Sequence, residues 1–183
     1  TSYTEDDEVK IIATNPPFGG SEENSVLSNF PEMYRTKETA DLFMSVIHRR
    51  LANGGKAAVI YPATTPPEGK KLNIVRRLLT ECNLHTVVQL PASTFAPYAS
   101  IGTNILFFIK GEPTTETWFY QQRLPEKYKA YSKTKPMKLS HLEQLREWWY
   151  NRDVSEISWK VTIEEIEDNA FRIFDWKNPN LPE

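Results

Sequence analysis

Val9-Lys10-Ile11-Ile12-Ala13-Thr14-Asn15-Pro16-Pro17-Phe18-Gly19-Gly20 is the stretch on which the reading of this chain turns. Val9 to Ala13 is short and apolar, the pattern of a buried strand. Asn15 therefore stands where a strand gives way to a loop, and open α/β sheets place ligand sites at the carboxyl ends of their strands. Its amide offers one acceptor oxygen and two N–H donors at a single point. The two prolines remove two backbone donors and fix two φ angles, so the carbonyls of Asn15 and Pro16 are presented stiffly. Phe18 adds a flat apolar face. Together these groups form a cradle for a planar ring bearing an exocyclic amine, which donates to Asn15 and to the Pro16 carbonyl while the ring stacks on Phe18. A proline-rich turn closing a strand is the plain alternative.

Working outward, Gly19 to Arg35 is polar and broken by Asn24, Asn29 and Pro31, which predicts a long mobile loop. Thr36 reads as the N-cap of a helix to about Asn53, with Ala40, Phe43, Ile47 and Leu51 inward, Arg49 and Arg50 in the last turns, and Gly54-Gly55 as the stop. Lys56 to Tyr61 follows as a strand, closed by Pro62, so the unit is a parallel crossover. The Thr64–Gly69 loop opens on the same side as Asn15, and Lys70 and Lys71 come just after it. A second helix runs from about Lys71 to Cys82, with Leu72, Val75, Leu78, Leu79 and Cys82 buried and Arg76 and Arg77 solvated. Thr86–Leu90 and Asn104–Lys110 are strands, and no helix fits between Pro91 and Thr103, so the two must be antiparallel. The expected fold is therefore α/β, a mostly parallel sheet with one antiparallel strand near its edge. Thr117 to Gln121 adds a further strand. Lys127, Lys129, Lys133, Lys135 and Lys138 alternate with Tyr128 and Tyr131 in a run read as a solvated linker, the alternative being a track for a nucleic-acid backbone. Ser140–Glu143 and Thr162–Glu165 are capping boxes, each opening a helix. The chain divides at residue 122, with 123–183 as lysine-rich linker plus helical extension.

The 183 residues suit one core domain, and a net charge of −2 with 25% charged residues describes an ordinary polar surface. No apolar stretch is long enough to cross a membrane. The single cysteine, Cys82, excludes an internal disulfide and reads as a buried filler on a helix. His48, His85 and His141 lack ligand spacing, so no metal site is expected. Duplex binding calls for a basic footprint that the net charge does not announce. Either the charge is unevenly placed or a partner supplies phosphate contacts. The chain begins without Met, in the acidic run Glu5–Glu8, and enters a strand almost at once, which leads us to expect that it continues a longer protein.

The run from Ile11 to Gly19 resembles the catalytic motif of amino-group DNA methyltransferases, and in particular the modification (methylase) subunit of type I restriction-modification systems. Relatives of the motif, usually with Tyr for Phe, occur in protein glutamine and RNA guanine methyltransferases. Ala92 to Thr103 resembles the loop in which this branch carries a second aromatic against the target base. Phe95 matches best and Tyr98 is the other candidate, while a core-plugging Phe95 is the alternative. Phe171 to Asn180 resembles the segment that ends the family's catalytic domain. The resemblance implies a partial class I, Rossmann-like S-adenosylmethionine-dependent methyltransferase sheet. It implies methyl transfer to adenine N6 of a flipped base, with Asn15, Pro16, Pro17 and Phe18 catalytic and Phe18 and Phe95 stacking on the base. It assigns residues 1–122 to the second half of the catalytic domain. Its partners would be double-stranded DNA, with Lys70 and Lys71 as candidate DNA contacts, and the specificity and restriction subunits, in a bacterial or archaeal cytoplasm. The departure is in the cofactor half: the family needs a glycine-rich turn, and this chain has seven glycines and no Gly-x-Gly. The S-adenosylmethionine site is therefore expected mostly outside this chain, which alone would be inactive. A protein or RNA methyltransferase, and a non-catalytic interaction module, are the rival readings.

Overall fold

The computed structural model describes residues 7–64, 66–99 and 101–180. Among them, six strands form one sheet: β1 (Val9–Thr14), β2 (Leu51–Pro62), β3 (Cys82–Leu90), β4 (Thr103–Lys110), β5 (Glu116–Gln121) and β6 (Ser158–Thr162). Their order is β1-β2-β4-β3-β5-β6. β1 and β2 are parallel, as are β3 and β5. β4 runs against both β2 and β3, and β6 against β5. Four strands thus share one direction, as a mostly parallel sheet requires. The reversed strand expected from the short Pro91–Thr103 connection is β4, and it lies between β2 and β3 rather than near an edge. The reversed strand at the edge is β6, which the sequence reading missed. Residues 123–183 therefore bring a strand as well as helices to the sheet.

The helices are α1 (Asn24–Leu27), α2 (Thr39–Arg50), α3 (Gly69–Glu81), α4 (Glu143–Tyr150) and α5 (Ile163–Asp168). α2 and α3 cover one face, where Met44, Ile47, Ile74, Val75, Leu78 and Leu79 pack on Val59, Leu84, Val87, Leu106 and Phe108. α4 covers the β3–β5 part of the other face, where Leu145 and Trp148 meet Val88, Leu90 and Tyr120. Adjacent residues such as Val87 and Val88 serve opposite layers, as the period-2 alternation of a strand demands.

Several local expectations are corrected. α2 stops at Arg50, not near Asn53, because Nζ of Lys110 donates to the carbonyls of His48 and Leu51 at 2.9 and 2.8 Å. A cation at a helix C-terminus satisfies orphan carbonyls and complements the dipole, and here it comes from β4. Gly54, at φ +76°, bends β2 rather than ending the helix. Phe43 is exposed, while Asp41 and His48 point inward. Cys82 opens β3 instead of closing a helix, and burial pushes its thiol up to about 12, as befits a filler. The Gly19–Arg35 loop folds on itself through α1 and a 3₁₀ turn at Glu32–Tyr34. Arg35 donates to the carbonyls of Phe30 and Ser28, and Asn73 of α3 donates to that of Met33. The lysine-rich run is not a free linker either. Tyr131 is buried and stacks on His141 at 5.6 Å, and Tyr128 meets both rings edge-on. The Ser140 box is replaced by a 3₁₀ turn (Leu139–Leu142), whereas Thr162 and Glu165 bond reciprocally as expected. β1 is not a buried strand: Ile11 is 75% exposed.

Candidate active site

β1 and β2 advance in register, Thr14 beside Val59, so Asn15 leaves the sheet at the end where β2 runs out at Pro62. Asn15 is exposed, and among the described residues its amide has no hydrogen-bond partner. Pro16 is buried and anchors the turn. Gly19 takes φ +70°, and a Cβ at Gly20 would collide with Oγ1 of Thr39. Two glycines are therefore required for the chain to turn back against α2, where Gly20 accepts the Thr39 N–H.

The loop between β3 and β4 reaches over to this turn. The Phe18 and Phe95 rings lie 5.8 Å apart at 76°, an edge-to-face pair. The loop holds Phe95 there by consecutive turns: Thr94 N–H bonds to Pro91, Ala96 to Ser93, and Tyr98 and Ala99 to Phe95. Oγ of Ser93 accepts the backbone N–H of Tyr131, and Ala63 N–H donates to the Gly102 carbonyl at 2.7 Å. The structure thus brings Asn15, Pro16, Pro17, Phe18 and Phe95 together. Tyr98 points away and is almost wholly exposed.

Behind the cradle lies a polar knot that sequence reasoning missed. Tyr61, at the end of β2, donates to buried Asp41 of α2. Nζ of Lys71 donates to Oγ1 of Thr64 at 2.7 Å and lies 3.7 Å from the same carboxylate. The ammonium also faces the Tyr61 and Phe174 rings, which stack at 4.4 Å. Burial, then the Asp41 carboxylate, holds the Tyr61 phenol above its ordinary pKa, so it remains a donor. Lys71 is therefore engaged inside the fold, whereas Lys70 is exposed. Among the described residues no cluster of three or more His, Cys, Asp or Glu side chains could hold a metal ion.

A cradle of amide and proline carbonyls backed by two rings, at the carboxyl end of a strand, suits a planar aminated base. Residues 1–176 match the family model described as N-6 DNA methylase. The chain belongs to the N-6 DNA methylase family. It is 48% identical over 182 residues to the methylase subunit of the type I restriction enzyme EcoEI from Escherichia coli, covering 95% of this chain and 37% of that subunit. It is also similar to the solved structure of a modification subunit assigned to a type I restriction enzyme of Vibrio vulnificus, with TM-score 0.89 and 42% identity over 98% of this chain and 40% of that one. A chain from a type I restriction-modification system, solved to describe complex assembly and conformational transition, gives TM-score 0.87 and 34% identity, covering 97% and 39%. This N-6 DNA methylase chain therefore spans well under half the length of these relatives. The mixed α/β sheet is shared with these solved structures.

Proposed function

We propose that this chain is the acceptor-base half of an adenine-specific DNA methyltransferase, the modification subunit of a type I restriction-modification system. The observation that carries the reading is the unbonded Asn15 amide beside the Phe18–Phe95 pair. An adenine amine is a poor nucleophile because its lone pair is delocalised into the ring. The Asn15 side-chain oxygen and the Pro16 carbonyl accept its two hydrogens, favour a tetrahedral nitrogen, and aim the lone pair out of the ring plane. This is positioning and electrostatic preorganisation without a covalent intermediate. The base must leave the duplex to reach these acceptors. Stacking on Phe18, with Phe95 closing from the loop, returns roughly 1–3 kcal/mol of the lost stacking.

S-adenosylmethionine would supply the methyl group. The residues present do not fit it: there is no Gly-x-Gly turn, and among the described residues β1 has no outer neighbour. We assign its site to protein outside these residues. Double-stranded DNA, a specificity subunit and a restriction subunit are the proposed partners, in the cytoplasm. The type I relatives support this, and among the described residues no helix is long and apolar enough to cross a membrane. Residues 1–122 serve as the catalytic part and 123–183 as a buttress, with exposed Lys70 as a proposed phosphate contact.

The test is Asn15→Ala in the complete methylase assembled with its specificity subunit. Methyl transfer to DNA should fall by about 10³-fold or more, the loss expected when a preorganised polar group is removed, while DNA binding and melting temperature stay unchanged. Near wild-type transfer by that variant, or transfer to RNA or protein in preference to DNA, would remove the assignment.

A further inference from the structure

Beside the Phe95 loop, the same end of the sheet holds a cavity of about 800 Å³ between the strand ends and residues 174–179. Its outer wall is a strap of chain clamped by amides. Nδ2 of Asn104 donates to the Phe174 carbonyl at 2.6 Å, and Nε2 of Gln89 to that of Trp176 at 2.7 Å. Nδ2 of Asn178 donates to Oε1 of Gln121 and to the Glu156 carbonyl, at 3.1 and 2.6 Å. Three adjacent strands, β4, β3 and β5, thus fix the strap over their own ends. A surface tail needs no such ladder. Side-chain amides committed one after another to a peptide backbone set that peptide at a fixed height over the cavity.

Two groups at the cavity are left unused. Thr103, 1% exposed, has a buried hydroxyl with no hydrogen-bond partner among the described residues. Buried polar groups are normally satisfied, so an orphan lining a cavity points to an absent ligand. Lys177, on the strap, is exposed and has neither hydrogen bond nor ion pair among the described residues. The one carboxylate at the cavity, Asp175, is already held by Arg172 through bonds of 2.5 and 3.2 Å. The uncompensated charge there is therefore positive, although the chain carries −2 overall. An unpaired hydroxyl in the cavity wall and an ammonium at its rim suit an anion rich in acceptor oxygens. Its place relative to the cradle is fixed, because Ala63 lines the cavity and its N–H also closes the Phe95 loop at Gly102.

We propose that this cavity seats a backbone phosphate of the DNA strand that carries the target adenine, with Lys177 supplying the charge and Thr103 the hydrogen bond. The proposal rests on the DNA-methylase reading and adds to it a phosphate site near the flipped base. It also answers the missing basic footprint, since one placed cation registers the strand without a basic patch.

The experiment uses the complete methylase complex and its DNA substrate, with affinity measured against salt concentration. Lys177→Gln should reduce the slope of log affinity against log salt by about one, the signature of one lost phosphate contact. Lys177→Arg should restore it. Thr103→Val should weaken binding severalfold without changing the slope, and Thr103→Ser should not. Replacing single phosphates near the target adenine with uncharged methylphosphonates should reveal one position that costs the wild type as much as Lys177→Gln does, and costs that variant nothing further. An unchanged slope in Lys177→Gln, or losses that multiply at every phosphate position, would overturn the proposal. So would Lys177-dependent binding of free adenosine monophosphate with the DNA slope intact, which would give the cavity to a small nucleotide. Failure of the catalytic reading looks different: an active Asn15→Ala alongside a reduced slope in Lys177→Gln would keep the phosphate site and discard the cradle.

Discussion

At one edge of the sheet, β6 buries Trp159 and Val161, and the Trp159 ring stacks on Phe119 at 5.6 Å and 7°. At the other edge, β1 leaves Val9 and Ile11 in solvent, on the face that α2 does not cover, and has no outer neighbour among the described residues. Both are edge strands of one sheet, so strand chemistry does not explain the contrast. Natural edges are shortened, charged or covered. β6 is five residues long and covered, with Lys160 outward and paired to Glu116 at 2.9 Å. β1 presents an isoleucine instead. The β6 edge is covered within these residues, whereas β1 keeps an apolar face without cover among the described residues of a chain that spans 37% of the EcoEI subunit. The candidate turn at Asn15 grows from the uncovered side. The covered edge at β6 and the candidate site at β1 thus lie at opposite ends of the sheet, a separation that substitutions can probe.

The largest expected effect on stability is at the covered edge. Trp159→Ala removes a fully packed ring and should cost about 3–5 kcal/mol, the range for large-to-small core changes. Chemical denaturation of this chain measures it. Trp159→Phe keeps the stack on Phe119 and removes the indole N–H, which has no partner among the described residues, so its loss should be far smaller. Equal losses in the two variants would mean that the ring's burial is not what holds β6.

How much of this could be read in the sequence follows the range of the forces involved. The Asn15 turn was legible because strand, asparagine, two prolines and phenylalanine act within four residues of one another. The antiparallel β3–β4 pair was legible from chain length alone. The end of α2 was not, because the lysine that caps it, Lys110, lies sixty residues on. The inward turn of Asp41 was equally hidden, since its partners Tyr61 and Lys71 belong to two other elements. β6 alternates as a strand should, but five residues running into the Thr162 capping box gave too short a pattern. Thr103 and Lys177 carry no local signal: only the fold shows that both line one cavity.

A middle-sized effect concerns α2, on the β1 side. His48 is buried, with Nε2 at 2.9 Å from Glu81. Burial, followed by Arg77 and Lys110, outweighs that carboxylate and lowers its pKa from 6.5 to about 4. A histidine depressed in the folded state binds its proton more readily when unfolded. Stability is therefore fully present above pH 6.5 and is lost as pH falls from there towards 4. The loss should be on the order of 1–3 kcal/mol at the acid end, and His48→Gln should remove it. All five tryptophans lie beyond residue 117, so their fluorescence reports the covered half. Amide exchange in α2 should rise on acidification while tryptophan emission still looks native. Simultaneous change in the two would show that both halves open as one unit.

The smallest effect tests the open edge itself. Ile11→Ser in this chain replaces a side chain that is already 75% exposed, and exposed substitutions usually change stability by no more than about 0.5 kcal/mol. In the complete methylase the same position is expected to lie under neighbouring strands or helices. There the substitution should cost about 1.5–3 kcal/mol, the burial term for an aliphatic side chain. Thermal melts of the pair, in both contexts, give four numbers and one difference. A difference near zero would mean that β1 remains an edge in the longer protein, and the contrast between the two ends of the sheet would then belong to the fold itself. A clear penalty confined to the longer protein would place further protein directly against Ile11, on the strand that carries Asn15.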